Sequence, residues 1–137
     1  MIHFLKKFYP TMLLIGVISF LSLATFNSLP STPAIPHMDK IVHFCMYMAL
    51  SYILLFDMSR THPKRHPGKN EIIMAFIVAV CMGGTMELLQ GYLTESRSAD
   101  WWDMLANTCG AATGVLIGTI TLPRILTLLR FRRNHSR

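Results

Sequence analysis

Charged residues are scarce in this chain. Aspartate, glutamate, lysine and arginine make up 15% of its 137 residues, whereas 52% are hydrophobic. Soluble domains carry about 25% charged residues. The shortage of charge therefore argues against an ordinary soluble domain, and the length suits a single domain over residues 1–137. We expect a membrane protein.

Motifs that would mark a disulfide framework, a metal site or a nucleophilic enzyme are also missing. The three cysteines lie inside apolar stretches, are odd in number and lack C-x-x-C spacing, so we interpret them as small core hydrophobes. No H-E-x-x-H or cysteine-based pattern indicates zinc, and no serine lies in a G-x-S-x-G motif. We expect no metal and no cofactor.

The chain does contain four apolar stretches, each close to the roughly 20 residues that cross a bilayer. Lipid offers no partners to backbone polar groups, so stretches of this length are predicted to be helices. The sequence thus predicts an all-α membrane protein, a bundle of four transmembrane helices over about 9–29, 41–58, 72–93 and 104–122. The first stretch could instead be a signal peptide, but its length and weak cleavage site favour an uncleaved helix.

Basic residues concentrate on one side of the predicted spans. Of the 13 lysines and arginines, only Lys40 and Arg97 fall on the other side. The rest lie in the N-terminus, the loop between the second and third spans, and the basic tail 124–137. The positive-inside rule therefore places both termini in the cytoplasm. The net charge of +6 indicates topology and contact with anionic lipid headgroups, not nucleic-acid binding.

Polar side chains collect near the opposite, outer surface. Ionisable groups at that depth are costly in hydrocarbon and mark a site by default. The four-residue spacing from Asp39 to His43 and on to Tyr47 puts these side chains on one helix face. The predicted ligand-binding residues are Asp39, His43, Tyr47, Glu87, Gln90, Arg97, Asp100, Asp103 and Asn107.

Several of these residues also have structural interpretations. Asp39 and Asp103 could each cap the N-terminus of a helix, and His43 could be a packed histidine bonded to a neighbouring helix. Glu87 is the hardest to explain in this way, because a carboxylate buried in a helix needs a partner or a raised pKa. His43 and Arg97 are the candidate partners.

A glycine stripe runs along the fourth predicted span. Gly110, Gly114 and Gly118 form G-x-x-x-G-x-x-x-G, a pattern that lets another helix approach closely. The stripe could serve packing within the chain or a homodimer. The small size of the bundle favours internal packing, and the choice between monomer and homodimer stays open.

Three short motifs in order resemble the VanZ-like family of small bacterial membrane proteins. They are D-K-I-V-H-F-x-x-Y from Asp39 to Tyr47, E-L-L-Q from Glu87 to Gln90, and R-S-A-D-W-W-D-x-x-x-N-x-x-G-x-x-x-G from Arg97 to Gly114. The resemblance implies an envelope role at the outer face of the bacterial cytoplasmic membrane. The family's named member is associated with low-level resistance to the glycopeptide teicoplanin. The resemblance supplies no reaction.

Three functions stay open from the sequence. The first is a protein that binds or modulates an envelope lipid, a lipid-linked cell-wall precursor or a glycopeptide-type antibiotic. The second is an enzyme acting on a lipid headgroup, with Glu87 or His43 as general base, Asp103 orienting it and Arg97 steadying negative charge. The third is a structural assembly factor. The five outer carboxylates against two basic residues leave a charge of −3, so a receptor for anions alone is not expected.

Overall fold

The described part of the chain forms a helical bundle. The computed structural model describes residues 6–23, 38–60, 66–93 and 100–135. Within them no strand occurs, and the four helices are α1 (Tyr9–Leu23), α2 (Met38–Ser59), α3 (Lys69–Leu93) and α4 (Trp101–His135). The prediction of an all-α fold with four helices is confirmed.

The four helices differ in length. Helices α2 and α3, and α4 as far as Leu129, are long and apolar enough to cross a membrane. Helix α1 has 15 residues, which at about 1.5 Å per residue is shorter than the roughly 30 Å of hydrocarbon. The rest of the predicted first span, 24–29, lies outside the described residues.

Helix α4 runs further than the sequence indicates. The predicted span ends at residue 122, but the helix continues through Pro123 to His135. A proline removes one backbone hydrogen bond and usually kinks a helix. Here Leu122 and Leu126 are both buried on either side of it, so packing holds the turn in place. Much of the predicted basic tail is therefore helical.

The glycine stripe packs α4 against α2. A Cβ atom at Gly110 would overlap the backbone oxygen of Phe44, and one at Gly114 would overlap Met48 and Ser51. All three stripe glycines are buried. Close backbone approach of this kind is what small residues allow between membrane helices. The stripe is therefore filled by a helix of the same chain.

The helices enclose an apolar core, and the cysteines are not part of it. The buried core consists of Ile18, Tyr47, Leu50, Leu54, Leu55, Ala75, Ala79, Ala111, Val115, Leu122 and Leu126. Cys45, Cys81 and Cys109 are free and exposed on the bundle exterior, so their interpretation as core residues is wrong. Lipid tails are as apolar as a protein core, and composition alone therefore cannot separate the two surfaces.

Helix α1 is fixed near both of its ends by buried polar bonds. The backbone N–H and the hydroxyl of Thr11 donate to Asp57 Oδ2 at 3.2 and 2.7 Å. Near the other end, Gln90 Nε2 donates to the backbone oxygen of Ser22 at 2.8 Å. The Asp57 carboxylate thus occupies the place of a capping group at the positive end of α1.

Candidate functional site

A chain of hydrogen bonds joins three helices at one end of the bundle. His43 lies near the start of α2, Asn107 near the start of α4, and Glu87 about two turns before the end of α3. His43 Nδ1 is 3.0 Å from Asn107 Oδ1, and Asn107 Nδ2 donates to Glu87 Oε1 at 3.2 Å. The same oxygen is 3.4 Å from His43 Nδ1. Glu87 therefore has the polar partners that its burial requires.

A glycine on α3 makes room for this contact. A Cβ atom at Gly83 would lie 3.1 Å from the Cβ of Asn107, closer than most real contacts. The bare backbone at Gly83 therefore lets Asn107 lie against α3, where its amide reaches Glu87. All three residues of the hydrogen-bond chain are at most 5% exposed.

Lys40 links the starts of α2 and α4. Its Nζ donates to Asp100 Oδ2 at 2.7 Å and to Asp103 Oδ1 at 2.9 Å. Asp100 Oδ1 also accepts the Trp102 N–H at 2.9 Å, which makes Asp100 the cap of α4. The Lys40 ammonium group, followed by this N–H, lowers the pKa of Asp100. The cap considered for Asp103 thus belongs to Asp100.

The remaining predicted residues are distributed differently. Tyr47 is fully buried in the apolar core, and within the described residues its hydroxyl has no hydrogen-bond partner. Gln90 donates to the backbone oxygen of Ser22 on α1. Arg97 lies outside the described residues. The structure thus gathers His43, Glu87 and Asn107 with the neighbouring aspartates.

An open groove lies beside Glu87, between α3 and α4. Its volume is about 320 Å³, and it is lined by Gly84, Glu87, Leu88, Asp100, Trp101 and Met104. The sequence analysis did not predict Lys40, Gly84, Leu88, Trp101 and Met104 as site residues. Two signals were available: Gly84 lies three residues before Glu87 and so shares its helix face, and Lys40 is the one lysine among the outer carboxylates.

Three potential metal ligands also meet at this end. One atom each from Asp39, His43 and Asp103 lies within 4.8 Å of the others. No sequence motif marks them, because they come from two helices far apart in the chain. The described part of the site contains four carboxylates and one ammonium group, which leaves a charge of −3 with His43 neutral. This arrangement suits amines, hydroxyl groups and cations.

A bundle of apolar helices with a buried polar site at one end defines a small integral membrane protein. The chain belongs to the VanZ/LLP1 family, whose model matches residues 3–122, as the resemblance implied. It is also similar to an uncharacterized protein of Schizosaccharomyces pombe, with 28% identity over 107 residues. The match covers 76% of this chain and 60% of the yeast protein. No solved structure matches the chain.

Proposed function

We propose that this VanZ/LLP1-family protein binds an amphiphilic molecule of the cell envelope at the polar end of its bundle. The groove beside Glu87 carries the proposal, because it joins carboxylates to apolar walls. The candidate ligands are an envelope lipid, a lipid-linked cell-wall precursor and a glycopeptide-type antibiotic such as teicoplanin. Of these we favour a lipid whose headgroup bears an amine.

The dimensions of the groove suit part of an amphiphile. Its volume of about 320 Å³ is at the lower end of the roughly 300–1,000 Å³ typical of small-molecule sites. That space holds a headgroup and the first carbons of an acyl chain. Leu88 and Trp101 are 61% and 86% exposed, so the apolar wall continues onto the lipid-facing surface. The rest of the chain would stay in the bilayer.

The charge of the site supports an amine. An ammonium group forms charge-assisted hydrogen bonds with carboxylates such as Glu87 and Asp100. A purely anionic headgroup would instead meet a net negative surface. We propose that Arg97 holds the anionic part of a zwitterionic headgroup.

The distribution of relatives bears on the choice of ligand. The protein from Schizosaccharomyces pombe is similar over 76% of this chain. A relative in a yeast favours a ligand that fungal membranes also contain. It therefore favours a membrane lipid over a molecule confined to bacterial cell walls.

A second candidate function, an enzyme acting on a lipid headgroup, is favoured by the His43–Asn107–Glu87 chain. Asn107 and Glu87 fix one ring nitrogen of His43, Nδ1, by hydrogen bonding. The second ring nitrogen, Nε2, is then oriented to accept a proton, as a general base requires. The two functions differ in outcome, because an enzyme releases a headgroup product and a binding protein returns the lipid unchanged.

Ligand titration in detergent tests both candidates. Trp101 and Trp102 are the two tryptophans of the chain, and Trp101 lines the groove. We expect a short-chain ethanolamine phospholipid to change their fluorescence, and a phosphatidylglycerol of equal chain length to bind at least tenfold more weakly. Mass spectrometry of the same mixture detects any released headgroup, which would favour the enzyme.

The matched variants are Glu87→Gln and Glu71→Gln. Glu71 accepts the Gly68 N–H at 3.0 Å at the start of α3, the opposite end of that helix from Glu87. We expect Glu87→Gln to weaken amine-lipid binding at least tenfold and Glu71→Gln to leave it unchanged. Equal binding of both lipids, or full affinity in Glu87→Gln, would contradict the proposal.

A further inference from the structure

The polar end of the bundle contains a group of metal-ligand atoms that the amphiphile groove does not include. One atom each from Asp39, His43 and Asp103 lies within 4.8 Å of the others. Of these residues, none lines the groove. We propose that Asp39, His43 and Asp103 form a binding site for a divalent transition-metal ion such as Zn²⁺ or Mn²⁺.

The hydrogen-bond chain fixes the tautomer of His43. An ionised Glu87 can only accept, so the Asn107 amide turns its Nδ2 toward Glu87 Oε1, at 3.2 Å. The amide oxygen, Oδ1, then faces His43 Nδ1 at 3.0 Å and accepts its proton. A neutral imidazole protonated on Nδ1 carries its lone pair on Nε2.

The lone pair of His43 points toward carboxylates. His43 Nε2 lies 3.9 Å from Asp39 Oδ1, beyond hydrogen-bond distance. The Lys40 ammonium group, 2.9 Å from Asp103 Oδ1, offsets the charge of Asp103. Asp39 and the nitrogen lone pair of His43 repel each other, and a cation between them would offset that repulsion.

The hydrogen bond at Nδ1 of His43 matches the one that metal-binding histidines usually make. Such histidines usually donate their second ring N–H to a carboxylate, a carbonyl or water, which orients the ring and makes it more basic. Here the amide oxygen of Asn107 accepts the Nδ1 proton, and the Glu87 carboxylate fixes the amide. Glu87 and Asn107 therefore act as positioning residues for His43.

The donor set indicates the kind of metal. One imidazole and two carboxylates suit zinc and manganese, and three protein ligands leave a coordination position for water or a ligand. Lys40 Nζ already donates to Asp103 Oδ1 at 2.9 Å. A carboxylate has two oxygens with about four lone-pair positions, so Asp103 can bind Lys40 and a metal together.

Metal titration of the whole protein tests the proposal. The protein is purified in detergent, stripped with a chelator and titrated with Zn²⁺ and Mn²⁺ by calorimetry, and with Co²⁺ by visible absorption. We expect one ion per chain. Asp39→Ala and His43→Gln should each weaken binding by more than about 100-fold, beyond the roughly 10–100-fold effect of residues that only orient a ligand. Glu71→Gln should bind like the parent.

The variants keep the outcome clear. Asp39 has a side chain that is 47% exposed, so its replacement by alanine is not expected to unfold the protein, and melting temperatures check this. Absence of stoichiometric binding, or unchanged affinity in Asp39→Ala and His43→Gln, would overturn the proposal. Metal binding does not rest on the amphiphile proposal, because neither residue lines the groove.

Discussion

Glu87 is a carboxylate enclosed by three helices, with 5% of its surface exposed. Its Oε1 accepts a hydrogen bond from Asn107 and lies 3.4 Å from His43 Nδ1. Glu87 also lines the groove. The same residue therefore belongs to the hydrogen-bond chain and to the groove that we propose binds an amphiphile.

Replacing Glu87 by glutamine separates a functional role from a structural one. Glutamine keeps the shape and can still accept the Asn107 N–H, but it removes the negative charge. Because a neutral amide is cheaper to bury than a carboxylate, we expect the melting temperature in detergent to stay level or rise. Amphiphile binding should fall at least tenfold, as measured by tryptophan fluorescence.

The comparison variant removes the partner instead. Asn107→Leu removes the amide that donates to the buried Glu87 carboxylate, and losing a hydrogen bond to a charged group costs about 1.5–3 kcal/mol. We therefore expect Asn107→Leu to be far less stable than Glu87→Gln. If Glu87→Gln is as stable and binds as tightly as the parent, Glu87 is not the centre of the site.

Some side-chain partnerships could be predicted from the sequence and others could not. Glu87 is the one carboxylate well inside an apolar stretch, so the sequence predicted that it needs a polar partner. His43 was a candidate partner only because it lies at a similar predicted depth in the membrane. The Lys40 bridge to Asp100 and Asp103 depends on how α2 and α4 are rotated about their axes. Short spacings within one helix contain no information about that rotation.

At the scale of whole helices, the glycine stripe controls how closely α4 approaches α2. A Cβ atom at Gly114 would meet backbone on α2, which cannot move aside as a flexible side chain can. We expect Gly114→Ala to lower the free energy of unfolding by about 1–3 kcal/mol, the usual cost of overpacking. Equilibrium unfolding in mixed detergent measures the change.

Gly16 provides the matched control for that substitution. It lies in α1, and a Cβ atom there would meet nothing within 4 Å. We expect Gly16→Ala to be neutral or to stabilise by up to about 1 kcal/mol, since alanine is the better helix former. If Gly16→Ala and Gly114→Ala lose stability equally, the close contact between α4 and α2 is not the cause of the loss.

The bond between Thr11 and Asp57 should decide how firmly α1 is attached. Thr11→Val keeps the shape of the side chain but removes the hydroxyl that donates to the buried Asp57 carboxylate at 2.7 Å. Hydrogen bonds to charged groups contribute about 1.5–3 kcal/mol, so we expect a loss of that size in the free energy of unfolding.

A second threonine serves as the control for this change. Thr85 is exposed, and within the described segments its hydroxyl donates only to the Cys81 carbonyl of its own helix, at 2.8 Å. Thr85→Val should therefore alter stability by less than about 0.5 kcal/mol. A comparable loss in Thr85→Val, or none in Thr11→Val, would rule out a specific anchoring role for Asp57.

The number of helices followed from apolar length, but their ends and faces did not. Hydropathy located four helices because lipid forces long apolar stretches to satisfy their own backbone. Because the lipid-facing and core-facing sides of these helices are both apolar, the sequence did not indicate which face is inside, as the exposed cysteines show. It also hid the end of α4, where buried Leu126 extends the helix past Pro123 into basic sequence.

Across the whole molecule, charge divides the two ends of the bundle. The described part of the polar end has four carboxylates and one lysine, Lys40. Eleven of the 13 lysines and arginines belong to segments that the predicted spans place on the opposite side. Lysine and arginine near the ends of membrane helices favour the cytoplasm. This asymmetry motivates the prediction that the site faces outward and both termini face inward.

Cysteine labelling of intact cells tests this orientation. Cys45, Cys81 and Cys109 are exposed thiols and are first replaced by alanine, so that a single introduced cysteine reports the result. We expect Ser96→Cys to react with an impermeant maleimide, and Asn134→Cys to react only after the cells are permeabilised. Ser96 belongs in sequence to the segment between α3 and α4, and the adjoining ends of these two helices carry the Glu87 site. The reverse labelling pattern would therefore put that site on the cytoplasmic side, and its ligand would have to come from the inner leaflet.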